Sequence, residues 1–320
     1  MDPVTHAVLG RSLEYARQRG PAEQGRGLAV VLGALSPDID AVLMPAGFDR
    51  YLAAHEIGTH SVVGAIVCGV LAAALTRLIR RGSEFRVLVT AAIVGALSHV
   101  AADLLAGAAI RVGWPLVGTR VMNLGVFAMG DPWIVALSVV TVIAWWFGPD
   151  RRRQCAIAVL ILFAAGAGVK SWSRMRALDA QRSVAAPSDD SARLIEPVSA
   201  SLFEWQVFDR TSDAVRAWRA DARGSVRLLL TIPRLPDDAD TRATIERSRT
   251  WDTTQNFLRA HDFTFASVAH DAASGDARVM WSDIRYCENA TSCAIRSGGD
   301  LSRSGELRLL VEVGSLRQVR

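Results

Sequence analysis

The sequence lacks the motifs that mark several common classes of protein. It has no Gly-x-Ser-x-Gly element to carry a nucleophilic serine and no glycine-rich loop to cradle phosphate groups. Its net charge of +4 comes mainly from arginine clusters beside apolar runs, without a basic stripe interleaved with aromatic residues. These absences argue against an elbow-type serine hydrolase, a P-loop nucleotide-binding protein and a nucleic-acid-binding protein.

Cysteine is also scarce, with 4 residues in a chain of 320. Cys68 and Cys155 lie inside apolar runs, where a thiol is typically an inert small hydrophobe. Cys287 and Cys293 lie close together in a polar stretch and can form a disulfide if that part of the chain is outside the cytoplasm. The first residues show no basic region followed by an apolar core, so we expect no cleavable signal peptide.

Apolar residues are abundant, at 50% of the chain beside 21% charged residues. Residues from about 28 to 169 are mostly long apolar runs, whereas the chain from Lys170 onward has the frequent Asp, Arg and Ser of a soluble protein. The pattern predicts an α-helical membrane bundle of about five to six helices in residues 1–170. A linker at 171–191 and a small α+β domain at 192–320 are predicted to follow.

Four apolar segments approach the roughly 20 residues that a membrane-spanning helix needs. They are Ser61–Ile79, Val87–Leu105, Pro132–Phe147 and Cys155–Val169. A fifth apolar segment, Leu28–Met44, is interrupted by Pro37, Asp38 and Asp40. Charges at membrane depth are usually functional or turned into the bundle.

Arginines beside these segments predict their orientation, because short basic loops stay on the cytoplasmic side of a membrane. Three groups flank the apolar runs: Arg11, Arg17, Arg19 and Arg26; Arg77, Arg80, Arg81 and Arg86; and Arg151, Arg152 and Arg153. If all three are cytoplasmic, the chain is a multi-pass protein of the cytoplasmic (inner) membrane with its C-terminal domain outside the cytoplasm. Lys170, Arg174 and Arg176 weakly favour the opposite orientation.

The first residues predict a helix too polar to face lipid. Asp2 and Pro3 have the pattern of an N-cap and first helical residue. We expect this helix to turn near residue 22 and to pack antiparallel on Leu28–Leu35, which brings His6 level with Asp38.

The C-terminal part alternates short β-like runs with turn residues, which predicts an antiparallel sheet. The runs are Leu202–Phe208, Val215–Ala220, Val226–Ile232, Phe263–Val268, Val279–Tyr286 and Leu307–Val313. One helix is predicted among them, at Thr250–Ala260.

Histidines and aspartates gather in the membrane half, at or near the predicted outer ends of its helices. His99 and Asp103 are four residues apart and so share one helix face. Neutral imidazole and carboxylate oxygen are ligands of zinc and related divalent ions. The pattern therefore predicts a divalent metal site, with Zn²⁺ as the expected ion. Its predicted ligands are His6, Asp38, Asp40, His55, His60, His99 and Asp103.

Each of these residues also has a structural alternative. His6 can be a helix–helix hydrogen bonder, and His99 with Asp103 can be a structural pair. Asp38 and Asp40 can simply end a helix at the membrane interface. Asp131 precedes Pro132 and can act as an N-cap, with orientation of a ligand histidine as its predicted site role.

Taken in order, these elements resemble the YdjM-like family of membrane-bound metal-dependent hydrolases. The blocks that carry the resemblance are Met-Asp-Pro-Val-Thr-His6-Ala, Ser-Pro-Asp38-Ile-Asp40, His55…Thr59-His60-Ser61, His99-x-x-x-Asp103 and Gly-Asp131-Pro-Trp, with Phe203-Glu-Trp205-Gln-Val and Trp281-Ser-Asp-Ile-Arg-Tyr286 further on. One departure is that Glu56 and Ile57 stand where the family usually has Arg and Gly.

The resemblance implies hydrolysis of a phosphoester or lipid-linked substrate at the outer face of the membrane. Asp40, His60 and Asp131 are the predicted catalytic residues. The expected partners are the lipid bilayer and a small-molecule or lipid substrate, without nucleic acid. Two other classes remain open: a transporter or ion carrier with an intramembrane His/Asp site, and an inactive scaffold whose metal only staples the helices.

Overall fold

The computed structural model of the chain describes most of its residues. These are 1–18, 23–46, 58–107, 110–117, 122–128, 130–185, 192–234, 236, 238–270, 277–287, 293, 296–301 and 307–310. They form two compact units, which are described separately below. The first unit comprises Met1–Arg174 and Glu196–Phe203, and the second comprises Met175–Ile195 and Glu204–Arg320.

The N-terminal region is helical. Its α-helices are α1 (Pro3–Arg17), α2 (Arg26–Leu35), α3 (Val62–Ile79), α4 (Phe85–Leu105), α5 (Pro132–Phe147) and α6 (Arg152–Val184). A 3-10 helix, Ser36–Ala46, follows α2, and a short one, Pro149–Arg151, precedes α6. The predicted cap of α1 is confirmed, since the Asp2 side chain accepts a hydrogen bond from the Thr5 amide at 2.9 Å.

Among the described residues, three helices are long and apolar enough to cross a membrane. They are Val62–Ile79, Phe85–Leu105 and Pro149–Val184. The first two coincide closely with predicted spans, and the third contains the predicted span Cys155–Val169. The predicted span at Pro132–Phe147 is an apolar helix of 16 residues, shorter than these three.

The apolar segment Leu28–Met44 is not one continuous α-helix, in agreement with its interruption by Pro37, Asp38 and Asp40 in the sequence. Helix α2 ends at Leu35 and the chain continues as the 3-10 helix Ser36–Ala46. Pro37 explains the change, because its ring lacks an N–H and clashes with the carbonyl four residues earlier in an α-helix. The Ser36 hydroxyl donates to the Gly33 carbonyl at 2.8 Å and satisfies one acceptor at this break.

Helix α6 is longer than its apolar stretch. It continues from Lys170 to Val184 and so occupies most of the segment predicted to be a linker. Residues 171–184 contain neither glycine nor proline, and eight of these fourteen residues are Ala, Arg, Leu, Met or Gln, which are good helix formers. The sequence predicted a linker at 171–191, but most of this segment is helical because its residues favour a helix.

Small residues bring α2 and α4 into close contact. A Cβ on Gly33 would lie 2.0 Å from the carbonyl oxygen of Ala92, and one on Gly95 would lie 2.1 Å from that of Val30. Only glycine allows the two backbones to approach this closely, as in packed membrane helices. The core around them is also built mostly of small residues, including Ala29, Ala72, Ala73, Ala91 and Ala92.

Arginines gather at one end of the first unit, which we call the arginine end. Arg26 pairs with Glu14 at 2.8 Å and reaches the Val87 carbonyl at 3.4 Å. Arg153 donates to the Ala16 carbonyl at 3.3 Å. The C-terminus of α1 thus meets the starts of α2, α4 and α6 at this end.

The second unit contains two four-stranded sheets, where the sequence predicted one. Their strands are β1 (Ala192–Pro197), β2 (Glu204–Arg210), β3 (Ala214–Asp221), β4 (Val226–Pro233), β5 (Thr264–His270), β6 (Ala277–Asp283), β7 (Arg296–Leu301) and β8 (Leu307–Leu310), in the orders β1-β2-β3-β4 and β5-β6-β7-β8. Pairing is antiparallel from β2 to β4 and from β5 to β8.

Between the sheets in sequence lie helices α7 (Ala239–Ser248) and α8 (Asp252–Ala260). The predicted helix at Thr250–Ala260 corresponds to α8, whereas α7 was not predicted. Apolar side chains of both sheets, including Phe208, Val215 and Phe265, form one core cluster.

A buried polar network surrounds Asp283, the last residue of β6. Asp283 accepts hydrogen bonds from His261 Nδ1 at 3.1 Å and from Arg285 Nη2 at 2.6 Å. Burial would raise the pKa of the Asp283 carboxyl, but the hydrogen bonds from His261 and Arg285 outweigh it and lower the pKa to about 2. The predicted disulfide between Cys287 and Cys293 is present directly after this network.

Candidate metal centre

Helix α4 carries two members of the predicted site on one face. His99 and Asp103 are one helical turn apart, with His99 Nε2 3.0 Å from Asp103 Oδ2. Both side chains are buried. The four-residue spacing in the sequence is therefore realised as a direct contact.

The proton of His99 can be placed from its neighbours. Its Nδ1 lies 2.8 Å from the carbonyl oxygen of Ala34 on α2. A carbonyl can only accept, so Nδ1 carries the hydrogen and a neutral imidazole keeps a lone pair on Nε2. This contact depends on the glycine-mediated approach of α2 to α4. Nε2 is the atom that faces the other members of the site.

His60 is held by the turn that leads into α3. The Ser61 hydroxyl caps this helix by accepting from the Gly64 amide at 2.9 Å, and it donates to the Gly58 carbonyl at 2.7 Å. A Cβ on Gly64 would lie 1.8 Å from that carbonyl oxygen, so the fold-back requires glycine. The turn buries His60 completely.

Asp40 lies behind His60. Its Oδ2 is 3.3 Å from His60 Nδ1 and accepts a hydrogen bond from the Thr59 hydroxyl at 3.2 Å. A carboxylate at Nδ1 favours the hydrogen there and orients the Nε2 lone pair away from Asp40. The geometry thus places Asp40 at the far nitrogen of His60, as an orienting group.

Four predicted ligands converge in one cluster. Ligand atoms of Asp38, His60, His99 and Asp103 all lie within 4.8 Å of one another. His60 Nε2 is 3.1 Å from His99 Nε2, and Asp38 Oδ1 is 3.6 Å and 3.5 Å from these two nitrogens. We call these four residues the His/Asp cluster.

The His/Asp cluster fits a divalent cation. With their hydrogens on Nδ1, both imidazoles would direct lone pairs at each other across 3.1 Å, which is repulsive unless a cation lies between the donors. Two imidazole nitrogens and two carboxylates are a donor set typical of Zn²⁺ and related ions. The cluster can therefore hold one metal ion.

His6 lies at the edge of the cluster. Its ring stacks on that of His99 with centroids 3.8 Å apart, and its Nε2 is 3.2 Å from Asp103 Oδ1. Its Nδ1 is buried without a hydrogen-bond partner among the residues that the structure describes. The Met1 amino group also contacts Asp103 Oδ1. Helix α1 therefore places His6 next to Asp103, whereas the turn predicted near residue 22 lies outside the described residues.

Asp131 has a different setting. It caps α5 by accepting from the Trp133 amide at 3.1 Å, and its Oδ2 pairs with Lys170 Nζ on α6 at 2.5 Å. Sequence reasoning did not assign Lys170 to this pair. A signal was available, because Lys170 is the only lysine in the sequence and directly follows an apolar run. A catalytic role of Asp131 remains a prediction.

The remaining predicted ligand, His55, lies outside the described residues, as does Glu56. Two contacts of the site were also not predicted: the Ala34 carbonyl at His99 and the Thr59 hydroxyl at Asp40. A backbone carbonyl leaves no signal in a sequence. Thr59 was visible only as part of the Thr-His-Ser element.

Access to the cluster is one-sided. His60, His99 and Asp103 have side chains that are at most 3% exposed, whereas the Asp38 side chain is 31% exposed. Within the described cluster, Asp38 is therefore the residue that solvent or a ligand can contact.

These features define a membrane protein whose helical region holds a buried His/Asp cluster capable of binding a metal ion. The chain belongs to the YdjM inner membrane protein family, whose model matches residues 1–177. The match includes all four residues of the cluster and confirms the family that the motifs indicated. No curated protein matches the chain. No solved structure matches it either.

Proposed function

We propose that the protein is a metal-dependent hydrolase of the inner membrane. The observation that carries this proposal is the convergence of Asp38, His60, His99 and Asp103 within 4.8 Å. Zn²⁺ is the ion that suits these nitrogen and oxygen donors best. When bound, such an ion supplies Lewis acidity, which polarises a phosphoryl group and lowers the pKa of water to about 7.

The residues around the cluster have separate tasks in this proposal. The Ala34 carbonyl and the Asp40 carboxylate hold the two imidazoles with their Nε2 lone pairs turned inward. His6 supports the second oxygen of Asp103. Asp38 forms the exposed edge at which substrate would approach, and the buried remainder excludes water.

The proposed substrate is a phosphoester, with a lipid-linked phosphoester as the favoured case. The family resemblance suggests the ester, and the position of the cluster suggests the lipid. His60 precedes α3 and Asp103 is near the end of α4, so the cluster lies at the end of these helices remote from the arginine end. If the arginine end is cytoplasmic, substrate arrives at the outer face.

Metal analysis tests the cluster itself. We expect full-length protein purified in mild detergent to contain stoichiometric Zn²⁺ by mass spectrometry, and His99→Ala to lose most of it. His261→Gln is the matched control, because it removes an imidazole outside the cluster and should leave the metal content unchanged. Equal metal content in the wild type and in His99→Ala would refute the ligand assignment.

A hydrolysis assay with purified protein tests the proposed enzymatic activity. The wild type should hydrolyse a phosphodiester or phospholipid from a substrate panel, lose activity with a chelator and regain it with Zn²⁺. His60→Ala should be inactive under all conditions, whereas His261→Gln should match the wild type. Metal-stabilised folding without turnover on the panel would contradict the hydrolase and support an inert scaffold, for which the deep burial of three ligands is the favouring observation. Metal flux into vesicles would support a transporter.

A further inference from the structure

A concave feature whose lining does not include the His/Asp cluster lies along α1. It is a groove of about 400 Å³ formed by α1, α2 and α5. Val4, Ala7 and Arg11 line it from α1, Val31 from α2, and Val142 and Trp145 from α5. Apart from Arg11, all of its lining residues are apolar. We call this feature the α1 groove.

The α1 groove runs along the helix axis and ends near the arginine end. Val4 and Arg11 are seven residues apart on α1, so the groove extends over about 10 Å at 1.5 Å per residue. Val31 and Val142 lie between its ends. An open apolar groove of this length suits one hydrocarbon chain better than a compact polar ligand.

Two arginines without a carboxylate partner lie near the end of the groove that Arg11 lines. The Arg11 guanidinium lies 4.1 Å from the centroid of the Tyr15 ring, and that of Arg152 lies 5.9 Å from the same centroid. Neither arginine forms an ion pair with a carboxylate among the residues that the structure describes. The nearby carboxylate of Glu14 is already engaged by Arg17 and Arg26.

The Arg11 guanidinium lies against the backbone of α2 at Gly27. A Cβ on Gly27 would lie 1.6 Å from a terminal nitrogen of Arg11, so the guanidinium packs directly against the glycine backbone. At the same end, the indole N–H of Trp145 is buried without a hydrogen-bond partner among the described residues. Two guanidinium groups and one unsatisfied indole donor thus gather around the Tyr15 ring, and all three are donors that suit an anionic oxygen.

We propose that the α1 groove binds an anionic glycerophospholipid, with one acyl chain along α1 and the phosphate between Arg11 and Arg152. Basic pockets between membrane helices on the cytoplasmic side suit anionic headgroups, whereas a neutral lipid would leave both arginines unpaired. Tryptophan at this level matches the interfacial position that its ring prefers in membranes. The site is separate from the His/Asp cluster, and its occupancy does not depend on hydrolysis.

Native mass spectrometry of the full-length protein tests the site. Delipidated protein in detergent is offered equal amounts of phosphatidylglycerol and phosphatidylcholine with identical acyl chains. We expect one phosphatidylglycerol adduct to predominate. Arg11→Gln should lower its abundance about fivefold, the ratio expected for the loss of one basic contact. Arg81→Gln is the matched control, since it removes the same charge from an exposed residue.

Ala7→Phe tests the apolar part of the groove, because the added ring would fill the space for the chain. It should abolish the adducts of both lipids, whereas Arg11→Gln should affect only phosphatidylglycerol. If Ala7→Phe does not fold, the comparison of Arg11→Gln with Arg81→Gln decides alone. Equal retention of the two lipids by the wild type, or equal losses in the two arginine variants, would overturn the proposal. A dimer that dissociates in Arg11→Gln without bound lipid would also overturn it, by assigning the groove to a second copy.

Discussion

Single residues in the first unit show how polar groups are made compatible with apolar helices. Lys170 is 1% exposed and pairs with Asp131 at 2.5 Å, while its ammonium lies 5.5 Å from the Phe127 ring centroid. Removal of one member of a buried ion pair is more damaging than removal of both, because the survivor keeps its charge without compensation.

Lys170→Met should therefore destabilise the protein by about 3–5 kcal/mol. The double variant Lys170→Met/Asp131→Asn should recover most of this loss, because asparagine also caps a helix well. Denaturant unfolding in detergent measures both free energies. A double variant as unstable as the single one would show that the pair contributes through something other than charge compensation.

Acid should destabilise the second unit through Asp283. The folded-state pKa of about 2 is below the usual value of 3.8. A lowered carboxyl pKa contributes stability that is fully present above the unfolded-state value and is lost as the pH falls through the folded value. Asp283 should thus contribute about 2 kcal/mol above pH 4 that disappears towards pH 2.

Tryptophan fluorescence of denaturant unfolding at several pH values between 7 and 2 measures this contribution. Asp283→Asn should be less stable than the wild type at pH 7 and should flatten the dependence between pH 4 and pH 2. A variant with the same pH dependence as the wild type would assign the acid sensitivity to other carboxyl groups.

The residues of the site were predictable where local spacing governs them. His99 and Asp103 follow from the four-residue period of a helix, and Ser61 from the chemistry of capping. The role of Asp40 was not predictable in detail, because only the turn around His60 decides which nitrogen the carboxylate meets. The Lys170 pair depends on the start of α5 lying beside α6 in the fold, which no local pattern contains.

At the scale of elements, the contact between α2 and α4 positions the site. Gly33 and Gly95 set the distance between the helix backbones, and the next residue, Ala34, offers its carbonyl to His99. Metal binding should therefore depend on glycines that do not themselves contact the His/Asp cluster.

Gly33→Ala should lower metal affinity about 10- to 100-fold, the effect typical of losing a group that orients a ligand histidine. The added methyl would lie 2.0 Å from the Ala92 carbonyl oxygen and would push α2 away from α4. Gly168→Ala is the control, because a Cβ there meets no atom within 4 Å. A chelator competition with purified protein compares the affinities, and equal values for the two variants would contradict this account.

The elements themselves were predictable to an uneven degree. Long apolar helices such as α3 and α4 follow from composition, and β2 to β6 follow from their β-branched and aromatic residues. Helix α7 was not predicted because its sequence is polar. Strand β7 was not predicted because Arg-Ser-Gly-Gly-Asp-Leu has little β propensity. The division into two sheets depends on long-range strand pairing, which short windows do not reveal.

At the scale of the whole molecule, the side of the membrane remains to be measured. Apolar helices and the arginine groups predict that the C-terminal domain is outside the cytoplasm, and the Cys287–Cys293 disulfide is compatible with an oxidising compartment. The family match ends at residue 177 and gives no information on this domain.

An alkaline phosphatase reporter fused after Arg320 should be active, because that enzyme needs an oxidising compartment for its own disulfides. A green fluorescent protein fused at the same position and exported in the unfolded state should be dark. A fluorescent fusion with an inactive phosphatase would reverse the predicted topology and would place the His/Asp cluster on the cytoplasmic side.

Lys170 also gives the protein a built-in chemical reporter. Since the sequence contains no other lysine, an amine-directed acylating reagent has a single side-chain target, and that target is shielded. The rate of acylation at this one nitrogen would measure how often the Asp131–Lys170 pair opens to solvent, without any introduced label. Slower acylation after addition of Zn²⁺ would show that occupancy of the His/Asp cluster reduces transient opening elsewhere in the first unit.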